Sequence, residues 1–194
     1  MNGLGFIESP LDPRDVVFKT QQIFPTEYKL KNVHSVVDQG IDPICAAISL
    51  SHIMEWQNKA KGQKIKATPK QIYDLRLDKN MQGMIPREAL SELKKKGIDG
   101  FNIGSYARVE DVNSAKAAIQ MNGPIMICMR AYNNDKFWIP KGRTIGGHAT
   151  ILTGWDKDGF ILQNSWGFNW GNGGTMVFPE SDFKYALECW TIMI

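Results

Sequence analysis

Gly146-Gly147-His148-Ala149-Thr150-Ile151-Leu152-Thr153-Gly154-Trp155 runs through Asp156-Lys157-Asp158-Gly159 into Phe160-Ile161-Leu162-Gln163-Asn164. Two apolar runs, His148 to Trp155 and Phe160 to Gln163, flank a four-residue turn signal, which predicts a β-hairpin. Working outward, Ile125 to Met129 is a continuous apolar run of the kind that forms a buried strand. Thr175 to Phe178 and Trp190 to Ile194 complete the set of expected strands.

The first half of the chain reads differently. Residues 1 to 40 are loop-rich, broken by Pro10, Pro13 and Pro25. Asp42 and Pro43 fit the cap and first position of a helix whose Ala46, Leu50, Ile53 and Met54 share one face. Thr68-Pro69 opens a second helix through Ile72, Tyr73 and Leu75. A third runs from Pro86 to Lys96, closed by three lysines and Gly97, and Val112, Ala115 and Ile119 mark a fourth that ends before Gly123-Pro124. Helices first and antiparallel strands second predict an α+β chain with two lobes over one cleft. The expected organisation is a single domain over residues 1–194, with a helical lobe at about 40–105 and a β lobe at about 106–194 joined by the N-terminal segment.

Composition narrows the function. The 194 residues are 43% hydrophobic and 22% charged, and a chain of this length buries enough surface to need no disulfide or metal. A formal charge of +3 is too mild to argue for nucleic acid or an anionic membrane, and no run is long enough to span a bilayer. The start carries no secretory signal, and the three cysteines, Cys45, Cys128 and Cys189, are too few and too scattered for a disulfide framework. These features predict a chain kept in a reducing, cytoplasmic setting. Neither phosphate loop, HExxH nor CxxC occurs, so no metal or cofactor is expected.

One constellation carries chemistry. Cys45 falls at N3 if Asp42 caps the helix, where the unsatisfied N–H groups of the first turn favour thiolate over thiol. Cys128 and Cys189 lie in apolar runs and read as core. A thiolate nucleophile needs an imidazole within hydrogen-bond reach. His52, seven residues along the same helix, is roughly 10 Å away along the axis. His148, at the mouth of a strand after two glycines, fits better. Asn164 stands level with it at the end of the hairpin and supplies an amide oxygen to fix the tautomer, with Trp166 to shield that bond. Gln39 is placed to donate its amide to an oxyanion beside the Cys45 N–H.

Val37-Asp38-Gln39-Gly40 before Cys45, then Gly147-His148-Ala149, then Gln163-Asn164-Ser165-Trp166-Gly167 and Trp170-Gly171 resemble the papain family of cysteine peptidases in order and spacing. The resemblance extends over nearly the whole chain from about residue 11. It implies a papain-like two-lobed fold, a helical lobe facing an antiparallel, barrel-like β lobe. It implies a peptidase in which Cys45 is the nucleophile, His148 the acid and base, Asn164 its orienter and Gln39 the oxyanion donor. It further implies that Gln82-Gly83 pairs by its backbone with an extended substrate. Ala149 would line the pocket for the second residue before the scissile bond, and Trp170 the leaving-group side. The implied partner is a peptide or protein substrate, with an inhibitor or pro-segment supplied in trans, because the chain has no room for a long pro-segment. Three departures stand out: Ile44 and Ala46 replace the usual Ser and Trp around the nucleophile, and Asp42 replaces the usual upstream cysteine. Two other readings stay open: acyl chemistry on a cell-wall, isopeptide or transpeptidation substrate, and a non-catalytic scaffold.

Overall fold

The structure, a computed structural model, describes residues 2–63, 67–98 and 102–193. The long helix α1, Cys45–Ala60, lies against the later sheet and is buried along its whole first half, so its sequence is apolar nearly all round there. Its cap is Ile44, with no side-chain hydrogen bond, and not Asp42. Cys45 is therefore the first helical residue, and its N–H is one of those the helix itself leaves unpaired. Helix α2, Pro69–Tyr73, starts with a capping box between Thr68 and Gln71. Helix α3, Pro86–Lys95, ends at Gly97, whose φ of +65° suits a residue without Cβ. These three helices make the first lobe. Its core joins Leu50, Ile53, Met54, Ile72, Leu90 and Leu93 to the inner face of the sheet.

The strands are β1 Val17–Phe18, β2 Tyr28–Lys29, β3 Ser105–Val109, β4 Ile125–Ala131, β5 Gly146–Asp156, β6 Gly159–Gln163, β7 Thr175–Phe178 and β8 Ala186–Met193. They form one mixed sheet in the order β1-β3-β8-β4-β5-β6-β7, with β2 added on β5. Helix α4, Val112–Asn122, is capped by Asp111 and packs on β3, β4, β5 and β8. A second core fills that side, with Ile125, Ile127, Leu152, Trp155, Phe160 and Phe178 fully buried. The expected hairpin is β5–β6, closed by the pair Asp156↔Gly159. The fold is α+β, as the order of helices and strands predicts.

Three differences from the expected elements share a cause. Strand β3 was not expected, β8 begins at Ala186 and not at Trp190, and the loop-rich first 40 residues contribute β1 and β2. Each is short or only partly apolar and is held by partners far along the chain: Val17 pairs with Arg108, Tyr28 with Trp155, and Ser105 with Met193. Ile194, expected as the last strand residue, lies outside the described residues.

Candidate active site

Two elements bring the chemistry together. Cys45 opens α1, and His148 is the third residue of β5, which packs against that helix. The sulfur lies where the backbone N–H groups of Ala149, Gly5 and Ala46 can reach it. His148 Nε2 donates to Asn164 Oδ1 at 2.7 Å, and the same oxygen accepts the Ser165 N–H at 2.8 Å. That bond leaves Nδ1 of the neutral ring as the lone-pair nitrogen. Nδ1 is buried and has no hydrogen-bond partner among the described residues. The Trp166 ring stacks on the imidazole at 4.4 Å, and Trp170 meets Trp166 edge-on at 5.9 Å, so the His148–Asn164 bond is kept from water.

Gln39 arrives from a different direction. Its segment pairs with the Asn164–Gly167 turn: Gln39 N–H donates to Ser165 O at 2.9 Å and Gly167 N–H to Val37 O at 3.0 Å. The Gln39 amide oxygen accepts from the Ser165 hydroxyl, which points its Nε2 towards Asp42 O at 2.7 Å and Gly3 O at 3.1 Å. The side-chain N–H thus already holds a carbonyl oxygen, as an oxyanion donor must.

That Gly3 carbonyl belongs to a segment the sequence reading left out. Residues 3–7 lie extended in the cleft. Gly3 N–H donates to Gly40 O at 2.7 Å, Phe6 N–H to Gly147 O at 3.1 Å, Met84 N–H to Gly5 O at 2.6 Å and Ile7 N–H to Met84 O at 3.0 Å. Trp166 Nε1 also reaches Gly3 O, at 3.3 Å. Phe6 is buried in the same apolar cluster as Cys45, Met84, Ala149 and Trp190. No role was expected for these residues, which lie within the loop-rich first 40. The legible signal was Gly3-Leu4-Gly5, an alternation that strips the side chains from one edge of a strand. A Cβ on Gly3 would stand 2.1 Å from Asp42 O, and one on Gly5 1.9 Å from Pro43 O. Only glycine passes that close to the segment leading into Cys45.

Burial opposes the expected electrostatics. Cys45 and His148 are both 0% exposed. Burial pushes the Cys45 thiol up to about 11, against the pull of the surrounding N–H groups. Burial likewise pushes His148 down to about 4, against the raising effect of Asn164. Burial thus works against the thiolate–imidazolium pair expected from the sequence, favouring the neutral form of each group.

The remaining predicted residues are placed less uniformly. Ala149 is buried beside the sulfur and opposite Cys128 in the sheet. Gln82 is exposed, and the Gly83 N–H is taken by the Tyr73 hydroxyl at 3.1 Å. The backbone that pairs with an extended segment is that of Met84, one residue beyond the expected pair. Nothing in the sequence distinguishes Met84 from its neighbours, because the choice depends on where Tyr73 reaches. Among the described residues no cluster of His, Cys, Asp or Glu can hold a metal ion.

A family model described as papain family cysteine protease matches residues 94–188. Over that span, just under half of the chain, the sequence is similar to the papain family. The matched span includes His148 and Asn164, whereas Cys45 and Gln39 lie before it and take their places from the geometry above. The gut-specific cysteine proteinase of Caenorhabditis elegans is 30% identical over 98 residues, covering 45% of this chain and 30% of that protein. Cathepsin B-like protease 1 of Arabidopsis thaliana is 31% identical over 99 residues, covering 45% of this chain and 26% of that one. The matched stretch thus spans less than a third of these relatives. Among solved structures, xylellain, a cysteine protease from Xylella fastidiosa, superposes with a TM-score of 0.83 at 20% identity, covering 99% of this chain and 96% of its own. ProCathepsin B S9 of Trypanosoma congolense gives 0.80 at 14% identity, covering 97% and 85%. At these identities the superpositions speak for the papain fold.

Proposed function

We propose that this chain is a cysteine peptidase that cleaves peptide bonds through an acyl-enzyme on Cys45. The observation that carries the reading is the Nε2–H bond from His148 to Asn164, which leaves Nδ1 buried and without a partner among the described residues, on the residue before Ala149, whose N–H reaches the Cys45 sulfur. In the reaction, Nδ1 takes the thiol proton as sulfur attacks the substrate carbonyl. The oxyanion that forms is held by the Gln39 amide N–H and the Cys45 backbone N–H. As the tetrahedral adduct collapses to a thioester, the imidazolium gives its proton to the departing amine. Water, deprotonated by the same nitrogen, then hydrolyses the thioester and restores the thiol.

The substrate is an extended peptide. Met84 and Gly147 already pair with extended backbone, and a peptide in place of residues 3–7 would find the same N–H and C=O groups. The proenzyme named among the structural relatives, proCathepsin B S9, supports a pro-segment or inhibitor as a second kind of occupant. Three unpaired thiols support work in a reducing, cytoplasmic setting. Cys45→Ala tests the reading: it should abolish peptide hydrolysis while leaving the folded content unchanged by circular dichroism. Full hydrolysis by the clean variant would end it.

A further inference from the structure

We infer that a cavity of about 380 Å³ beside Gln39, walled by His52, Asp38 and Asp42, binds a small organic cation with an apolar body. The inference does not depend on the peptidase reading, because neither Cys45 nor His148 is among the walls of this cavity.

The cavity lies between α1, the segment around Val37 to Asp42 and the start of α2. Ile44 and Ile48 on one side and Pro69 on another give it an apolar lining, and its size suits a small molecule. Its polar groups are few, and His52 is the informative one. His52 is 5% exposed, yet its ring nitrogens have no hydrogen-bond partner among the described residues. Buried polar groups are rarely left so, because each lost hydrogen bond with water has to be replaced. Its neighbours do not replace it. The His34 ring stacks on it face to face at 4.2 Å, but directs Nδ1 to Ser35 O at 2.6 Å and Nε2 to Glu55 at 2.8 Å. The Ser51 hydroxyl donates to Ala67 O at 3.2 Å. A partner for His52 therefore has to come from the cavity that it lines.

The charge of the walls selects the occupant. Asp38 and Asp42 line the cavity, no lysine or arginine does, and neither carboxylate has an ion-pair partner among the described residues. Asp38 spends one oxygen on the Gly40 N–H at 2.9 Å and keeps the other. Burial and the neighbouring His34 push His52 down to about 3, so at neutral pH its ring is uncharged, with one nitrogen to accept and one to donate. It does not repel a cation, and the charge that His34 takes on protonation is met by Glu55. An ammonium group can thus reach a carboxylate and the His52 lone pair while its apolar body lies against Ile44 and Ile48. An anion would face two carboxylates, and a wholly apolar molecule would leave His52 unpaired.

The test compares benzylamine, a cation at pH 7.5, with benzyl alcohol, which has the same apolar body and no charge. Each is titrated at fixed pH to about 10 mM, tenfold above a dissociation constant of about 1 mM, into chain carrying isotope-labelled histidine. The three ring signals are assigned with His34→Gln and His148→Gln, the third being His52. Benzylamine should move the His52 signal saturably, half-saturating at about 1 mM or below, and leave the His148 signal in place. Benzyl alcohol should bind about 10-fold more weakly, because it forgoes two charge pairs each worth about threefold. Asp42→Asn, at an exposed position where the fold is not at risk, should weaken benzylamine about threefold. No saturable movement of the His52 signal, or equal binding of the amine and the alcohol, would overturn the proposal. Movement of the His148 signal instead would put the cation in the catalytic cleft and overturn it as well.

Discussion

Asn164→Ala removes one atom on which two buried donors depend. Asn164 is 2% exposed, and its Oδ1 accepts from His148 Nε2 at 2.7 Å and from the Ser165 N–H at 2.8 Å. Each buried donor left without a partner costs about 1–3 kcal/mol. Part of that is offset, because the Asn164 Nδ2 has no partner of its own and disappears with the substitution. The expected loss is about 2–3 kcal/mol of unfolding free energy, read by urea denaturation at pH 7.5, where His148 is neutral in both states. Catalysis should suffer separately. Without the acceptor, nothing holds the proton on Nε2 or fixes the ring plane, and kcat/KM should fall on the order of 10-fold or more. Asn164→Asp is the control: it retains both acceptor lone pairs but adds a charge that raises the His148 pKa, so it should move the pH profile of hydrolysis. If Asn164→Ala unfolds within about 0.5 kcal/mol of the unaltered chain and keeps its kcat/KM, the bond neither supports the fold nor orients the base.

Acid should destabilise the fold through its buried histidines. Burial holds His148 down at about 4, and burial together with the stacked His34 ring holds His52 down at about 3, against about 6.5 unfolded. The unfolded chain binds these protons first. Stability is therefore level above pH 6.5 and falls towards pH 4, by at most about 1.4 kcal/mol per pH unit for each histidine. Urea midpoints at pH 7.5 and 4.5 measure the fall, and His52→Phe should roughly halve it; a midpoint unchanged over that range would refute the assignment. Cys128→Ala, in a fully buried strand position, should cost roughly 1–2 kcal/mol and leave turnover per folded molecule unaltered. Intact mass after alkylation in denaturant should find three free thiols, as the three unpaired cysteines require, and finding one would reveal a disulfide.

Much of the site was written in short stretches of sequence. The hairpin over residues 146–164 follows from two apolar runs and a turn, and a hairpin necessarily sets the start of its first strand beside the end of its second. That is why His148 and Asn164 meet. Thr68 and Gln71 cap α2 by chemistry contained in four residues. The tertiary structure decided what depends on distant partners. Strand β3 exists because β8 and β1 flank it, and Met84 pairs with Gly5 and Ile7 while Tyr73 takes the Gly83 N–H. A helix start and an imidazole favour ionising Cys45 and His148 and are legible in sequence, whereas the burial that opposes it is not. Partners distant in sequence supply it, among them Gly5 at the sulfur and Phe137 and Trp166 on the imidazole. The sequence by itself determined which groups can react. Only tertiary packing decided that Cys45 and His148 are shielded from water, because desolvation depends on residues far along the chain.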